Sequence, residues 1–203
     1  MSTILPTVTK ADIGVRPIAD WSALPRHFLN PGELETIVAL VRLVECPQTM
    51  VEIGVNTGRT ACVILREFRS LLHYIGIDVE PDYVPVLEAQ RGEVPRNPGV
   101  HATSDPRFDL MLSRRGSLDL GPADIGPADV IFIDGDHSAE VVMHDTALAR
   151  AIVRPGGIII WHDYHDLAGI DVRHVLDGFH RDGHDIKHIA GTWLAFERPA
   201  PKD

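Results

Sequence analysis

Four short apolar runs, each ending at a glycine or an acid, constrain this chain more than any other feature. They are Met50-Val51-Glu52-Ile53-Gly54, Tyr74-Ile75-Gly76-Ile77-Asp78, Val130-Ile131-Phe132-Ile133-Asp134, and Ile158-Ile159-Ile160-Trp161 followed by His162-Asp163. Runs this short, largely β-branched or aromatic and without polar alternation, read as strands covered on both faces. Strands of that kind belong to a mainly parallel sheet. Helical periods lie between them. Asn30-Pro31-Gly32-Glu33 offers an N-cap, a proline at the first helical position and an acid in the first turn, ahead of Leu34, Ile37, Val38, Val41 and Val44. Ala61, Ile64, Leu65 and Phe68 mark a second helix, and further helices are expected over about 138–153 and 170–181. Between these, 81–91 reads as a short helix, 92–107 as a loop, and Phe108, Leu110 and Leu112 as a weaker strand. Two last strands, near 185–190 and 192–197, are joined so tightly at Gly191 that they must be antiparallel. The expected class is α/β: a mostly parallel sheet with helices on both faces and an antiparallel last strand.

With 203 residues the chain suits one domain with some additional length. Residues 1–30 show no period and read as an arm, and 31–203 as the folded domain. Trp21, Leu24, Phe28 and Leu29 in that arm need cover, over a pocket or against a second copy in a homo-oligomer. The net charge of −10 disfavours nucleic acid and anionic membranes as partners. No apolar stretch approaches the length of a membrane span. The N-terminus lacks a basic segment followed by an apolar run, so no secretory leader is expected. Cys46 and Cys62 lack metal-ligand spacing and fit a reducing cytoplasm.

In an open parallel sheet, ligands sit beyond the carboxyl ends of the strands. Gly54, Asp78, Asp134 and His162-Asp163 all fall there. Glu52-Ile-Gly54-Val-Asn56-Thr-Gly58 joins a strand to a helix. Gly54 permits backbone angles closed to other residues and close approach of a ligand. Gly58 opens a helix whose amides favour an anionic group. Asp78, at the tip of the next strand, is placed to accept hydrogen bonds from two ribose hydroxyls. A plain tight turn and an exposed aspartate are the alternative. The turn lacks the Gly-Lys-Ser/Thr of a phosphate loop and the full G-x-G-x-x-G of a dinucleotide site.

The spacing E-x-G-x-x-x-G resembles the first motif of class I S-adenosylmethionine-dependent methyltransferases, with Asn56 where many of them carry glycine. Their Rossmann-like fold is a seven-stranded sheet whose last strand is antiparallel. The run IDGDHS at 133–138, a helix, then PGGIIIWHDY at 155–164 is similar to small-molecule O-methyltransferases related to macrocin O-methyltransferases and cephalosporin-hydroxylase-like proteins. The resemblance spans about 50–197. It implies S-adenosylmethionine bordered by Glu52, Gly54, Asn56, Gly58 and Asp134, with its ribose on Asp78. Ser117, after the weaker strand, would contact the adenine.

Metal-dependent relatives hold a divalent ion with an acid after the fourth strand and two adjacent residues after the fifth. Carried over, these are Asp134, His162 and Asp163, with magnesium or manganese as the ion. His162 departs from the acid or amide common there, and an imidazole shifts preference towards manganese, iron or zinc. The alternative is that both aspartates cap loops. His137 has the D-x-x-H spacing at which related sugar methyltransferases carry a general base, which a hydroxyl nucleophile needs. It would otherwise anchor the helix start at Ser138. Of the 11 histidines, His165 is a weaker candidate for the acceptor pocket. The implied activity is methyl transfer to a small-molecule acceptor, at a hydroxyl oxygen. A non-catalytic cofactor-binding protein of this fold, or another nucleotide-cofactor enzyme on a similar sheet, remains open at this point.

Overall fold

The computed structural model describes residues 5–18 and 32–200. In chain order the strands are β1 (Thr7–Val8), β2 (Thr49–Ile53), β3 (His73–Val79), β4 (Phe108–Ser113), β5 (Ala128–Ile133), β6 (Val153–Trp161), β7 (Lys187–Ile189) and β8 (Ala195–Glu197). The helices are α1 (Glu33–Val41), α2 (Arg59–Glu67), α3 (Pro122–Ile125), α4 (Ala139–Ile152) and α5 (Val172–Arg181). The strands form one sheet in the order β1-β7-β8-β6-β5-β2-β3-β4. Among the described residues only β8 runs antiparallel to its neighbours; every other pairing there is parallel. The mostly parallel α/β sheet expected from the sequence is therefore present, with its last strand reversed.

Alternate residues of a strand face opposite sides of a sheet, and here both sides are apolar. Met50, Val130, Phe132, Ile158 and Ile160 pack with Ile37 and Val38 of α1 and Ala61 and Ile64 of α2. Val51, Ile53, Ile131, Ile133, Ile159 and Trp161 pack with Val142 and Leu148 of α4 and Val175 and Leu176 of α5. Removing each such side chain from water contributes about 1.5–3 kcal/mol, which explains why the runs are solidly hydrophobic.

Register then places the site. Ile53 pairs with both Ile77 and Ile133, and Ile133 pairs with Trp161. The next residue on each strand is Gly54, Asp78, Asp134 and His162, so all four emerge level at one edge of the sheet.

Two segments differ from expectation. Thr7–Val8 adds an eighth strand beside β7, with Leu5, Ile13 and Ile18 buried around it. Two residues are too few to show a period. Within 81–91 only Glu88–Gln90 is helical, as a single 3-10 turn. Pro81, Pro85 and the packing of Gln90 leave no continuous helix there. Gly32, with φ 84°, holds the N-cap position of α1, while Asn30, Pro31 and the apolar residues Trp21 to Leu29 lie outside the described residues. Among the described residues no helix is long and apolar enough to cross a membrane.

Candidate active site

The edge of the sheet carries two adjoining constructions. The first is the turn after β2. Gly54 (φ 86°), Asn56 (φ 47°) and Gly58 (φ 79°) all take left-handed angles as the chain swings into α2. A Cβ on Gly54 would lie 2.1 Å from the Asp134 carbonyl oxygen. The close approach expected of a ligand at Gly54 is thus made by the backbone after β5. At Gly58 a Cβ would stand 3.0 Å from the Gly99 backbone, so this glycine also serves chain packing, not the clefts.

Asp78 holds the turn in place. Its Oδ2 accepts the Asn56 N–H at 2.6 Å and its Oδ1 accepts the Val79 N–H at 2.8 Å. Burial raises its pKa although both amides act to lower it. Each oxygen retains a second acceptor direction, which suits a pair of hydroxyls. Asn56 is equally engaged: its Oδ1 accepts the Thr57 N–H at 2.7 Å and its Nδ2 donates to the Glu93 carbonyl at 3.0 Å. Glu52 is buried beneath the turn and accepts the Tyr74 hydroxyl at 2.8 Å. Burial pushes its carboxyl well above the usual range. Ser117 sits in the 3-10 turn after β4, where its carbonyl accepts from His144 Nε2 at 3.0 Å.

The second construction is an assembly of carboxylates and imidazoles after β5 and β6. Asp163 has φ 60°, a left-handed angle that costs a non-glycine residue about 1–3 kcal/mol unless its surroundings enforce it. The angle brings its carboxylate among three rings. His137 Nε2 lies 3.0 Å and His162 Nδ1 2.9 Å from Oδ2, and His165 Nε2 lies 3.3 Å from Oδ1. His162 Nδ1 also lies 3.2 Å from Asp134 Oδ1. Burial would raise the Asp163 pKa, but hydrogen bonds from the three imidazoles prevail and hold it far below the usual range. Burial likewise favours neutral rings, yet Asp163 raises His137, and Asp134 with Asp163 and Glu33 raises His162 well above the ordinary value. Ligand atoms of Asp134, His162 and Asp163 all lie within 4.8 Å of one another. Two carboxylates and one imidazole at that spacing fit a divalent ion.

The two constructions open onto joined clefts. One is lined by Gly54, Asn56, Asp78, Ser117 and Asp134. The other, a cavity of about 570 Å³, is lined by Glu52, Gly54, Asn56, Asp134, His137, His162 and Asp163, together with Arg59, Glu93 and Trp193. Of the residues singled out from sequence, Gly58 and His165 line neither. His165 packs against Trp193 with ring centroids 4.2 Å apart and planes tilted by 54°.

Sequence reasoning missed four residues here. Gln90 donates from Nε2 to the Gly135 carbonyl at 3.1 Å and accepts the His137 N–H at 2.9 Å, fixing the segment that carries His137. Glu33 on α1 reaches His162 and the Trp193 backbone. Glu93 and Trp193 line the cavity. None has a motif spacing; only the fold brings them to this edge.

A family model described as a methyltransferase domain matches residues 51–164. The chain belongs to this methyltransferase-domain family, and its sheet is that of the class I S-adenosylmethionine-dependent methyltransferases. Among solved structures, cofactor-bound Rv0187 from MTB is 20% identical with a TM-score of 0.60, covering 88% of this chain and 85% of that one. The O-methyltransferase NovP is 16% identical with a TM-score of 0.63, covering 83% and 80%. An O-methyltransferase from Bacillus cereus in complex with SAH is 16% identical with a TM-score of 0.57, covering 87% and 84%. Among curated proteins none matches the chain.

Proposed function

We propose that the chain transfers the methyl group of S-adenosylmethionine to a hydroxyl oxygen of a small-molecule acceptor, with a divalent ion, magnesium or manganese, at Asp134, His162 and Asp163. The observation that carries this reading is the level edge itself. A turn suited to the cofactor and a cluster suited to acid–base chemistry share Gly54, Asn56 and Asp134 along two joined clefts. NovP and the Bacillus cereus protein, both O-methyltransferases by name, support the oxygen target.

Asp78 holds the ribose through its remaining acceptor directions, beside Gly54 and Asn56, and Ser117 borders the adenine. The acceptor enters the larger cavity against Trp193 and Glu93. Its hydroxyl oxygen attacks the sulfonium methyl carbon; the carbon–sulfur bond breaks and S-adenosylhomocysteine leaves. Holding the two reactants in line supplies most of the acceleration. His137 takes the hydroxyl proton at Nδ1, because its Nε2–H donates to Asp163 Oδ2 at 3.0 Å, and Asp163 thereby orients the ring and stabilises its protonated form. Asp134, His162 and Asp163 would hold the ion, whose charge would lower the proton affinity of the acceptor oxygen. The acidic surface, with net charge −10, goes with a small-molecule acceptor rather than nucleic acid or membrane. The two free cysteines fit a cytoplasmic setting, and the apolar residues at 21–29 fit a homo-oligomer contact or a cover over the acceptor.

The test is release of S-adenosylhomocysteine over a panel of phenolic and sugar hydroxyl acceptors. Activity should vanish in EDTA and return with Mn²⁺ or Mg²⁺. Full activity in EDTA would remove the ion from the reading, and absence of S-adenosylhomocysteine binding by calorimetry would remove the methyltransferase chemistry.

A further inference from the structure

Glu33 is fully buried in the first turn of α1, outside the stretch matched to the methyltransferase-domain family. A carboxylate held from water at that depth is costly unless its oxygens are hydrogen-bonded. Its Oε1 accepts the Trp193 backbone N–H at 2.6 Å, and its Oε2 lies 3.1 Å from His162 Nε2. The ring therefore has Glu33 on one side and Asp134 and Asp163 on the other, with Nδ1 the nitrogen towards the aspartates. An imidazole can ligate only through an unprotonated nitrogen, and the partner of its other nitrogen decides which one that is.

We propose that Glu33 is the positioning residue of the ion site: it keeps a proton on His162 Nε2, so that the proton an ion displaces is the one on Nδ1 and the ligand atom faces Asp134 and Asp163. The inference rests on the ion reading above and extends it to a residue that neither the family match nor the chain spacing includes. It also gives His162, at a position where the family resemblance leads one to expect an acid or amide, a physical explanation. An acid needs no tautomer to be set; a histidine does, and α1 supplies the group that sets it.

The geometry makes Glu33→Gln the informative change. The Trp193 N–H needs an acceptor, so the new amide oxygen turns to it and the amide NH₂ faces His162 Nε2. That nitrogen must then accept, and the proton moves to Nδ1, where it blocks ligation.

The experiment is calorimetric titration of the full, metal-free chain with MnCl₂. The unmodified protein should bind one ion. Glu33→Gln should weaken binding about 10–100-fold, the usual consequence of losing the partner behind a ligating histidine. Affinity for S-adenosylhomocysteine should be unchanged in the same preparation. In a His162→Asp background Glu33→Gln should leave Mn²⁺ affinity equal or tighter, because no tautomer remains to be set. A purely structural role for Glu33 would weaken binding in both backgrounds, and that result overturns the proposal. Equal Mn²⁺ affinity for the unmodified chain and Glu33→Gln also overturns it, while leaving the ion reading intact. No Mn²⁺ binding by the unmodified chain overturns the ion reading and the proposal with it. Should Glu33→Gln fail to fold, long-range ¹H–¹⁵N spectra of the unmodified Zn²⁺-loaded protein decide: a proton on His162 Nε2 supports the proposal, and its absence overturns it.

Discussion

The turn after β2 and the cluster after β5 and β6 lie side by side, yet they are held by different forces. The turn is held by backbone. Its shape comes from left-handed angles at Gly54, Asn56 and Gly58, and Asp78 grips it through the Asn56 amide. The cluster is held by side chains. Asp163 gathers His137, His162 and His165, while Gln90 and Glu33 brace it from segments far away in the chain. A backbone-built site is rigid and tolerates few substitutions at its glycines. A site built of side chains is adjustable, because a change at one ring is transmitted through protons to the next.

The largest effect should come from breaking the contact between the two. Gly54 has φ 86° and leaves no room for a Cβ against the Asp134 carbonyl. Gly54→Ala should therefore destabilise the fold by more than about 3 kcal/mol and abolish S-adenosylhomocysteine binding, as read by urea denaturation and calorimetry. A stable Gly54→Ala protein with intact affinity would show that the two regions do not depend on one another.

Next in size is a change confined to the cluster. His137→Ala should lower turnover by about 10²–10⁴ with any acceptor that reacts, while S-adenosylhomocysteine affinity stays level. The loss should shrink for acceptors whose hydroxyl is already acidic. A uniform loss across acceptors of different acidity would assign His137 to anchoring the start of α4 instead of moving a proton.

A smaller effect belongs to the turn. Asp78→Ala should weaken S-adenosylhomocysteine binding about tenfold or more, since charged hydrogen bonds contribute about 1.5–3 kcal/mol. The Asn56 amide bound by Asp78 adds a second expectation. The ligand-free protein should also lose about 1 kcal/mol of stability, because a part-buried amide is left without its acceptor. Unchanged stability with reduced affinity would mean that the turn keeps its shape unaided.

The edge of the sheet was legible in the chain for a physical reason. Strands covered on both faces are mainly apolar, so the glycine or polar residue that ends each run marks where it leaves the core. Gly54, Asp78, Asp134 and His162 are those residues, and parallel register brings them level. The supports of the cluster were not legible. Glu33 reads as an ordinary acid in the first turn of a helix, and Gln90 lies in a stretch whose expected helix is only one turn long. Contacts between residues 129 positions apart, as for Glu33 and His162, leave no local pattern. Thr7–Val8 is likewise too short a strand to announce itself.

The smallest effect lies behind both regions. Asp145 on α4 is fully buried, and among the described residues no aligned hydrogen bond reaches either of its oxygens. Burial pushes its carboxyl up to about 7, tempered by the neighbouring Ser117 hydroxyl and raised further by Asp136. Unfolded, it would release its proton near 3.8. The folded chain thus holds the extra proton between those values, and stability from this group falls as pH rises from about 4 to about 7. Asp145→Asn should remove that slope and raise Tm at pH 8 by a few degrees, corresponding to about 1–2 kcal/mol, with little change at pH 4. An equal shift at both pH values would assign the effect to packing and not to charge.

The most direct measurement is a crystal structure of the full chain with S-adenosylhomocysteine and Mn²⁺, read by anomalous scattering. The expected result has the nucleoside over Gly54 and Asn56 with its ribose on Asp78, and one manganese peak between Asp134, His162 and Asp163. It also has the sulfur directed into the cavity that His137 lines. A nucleoside bound away from Asp78 would contradict the proposed function at its root, as would a sulfur facing away from His137. A correctly seated nucleoside with no manganese peak would contradict the ion site alone.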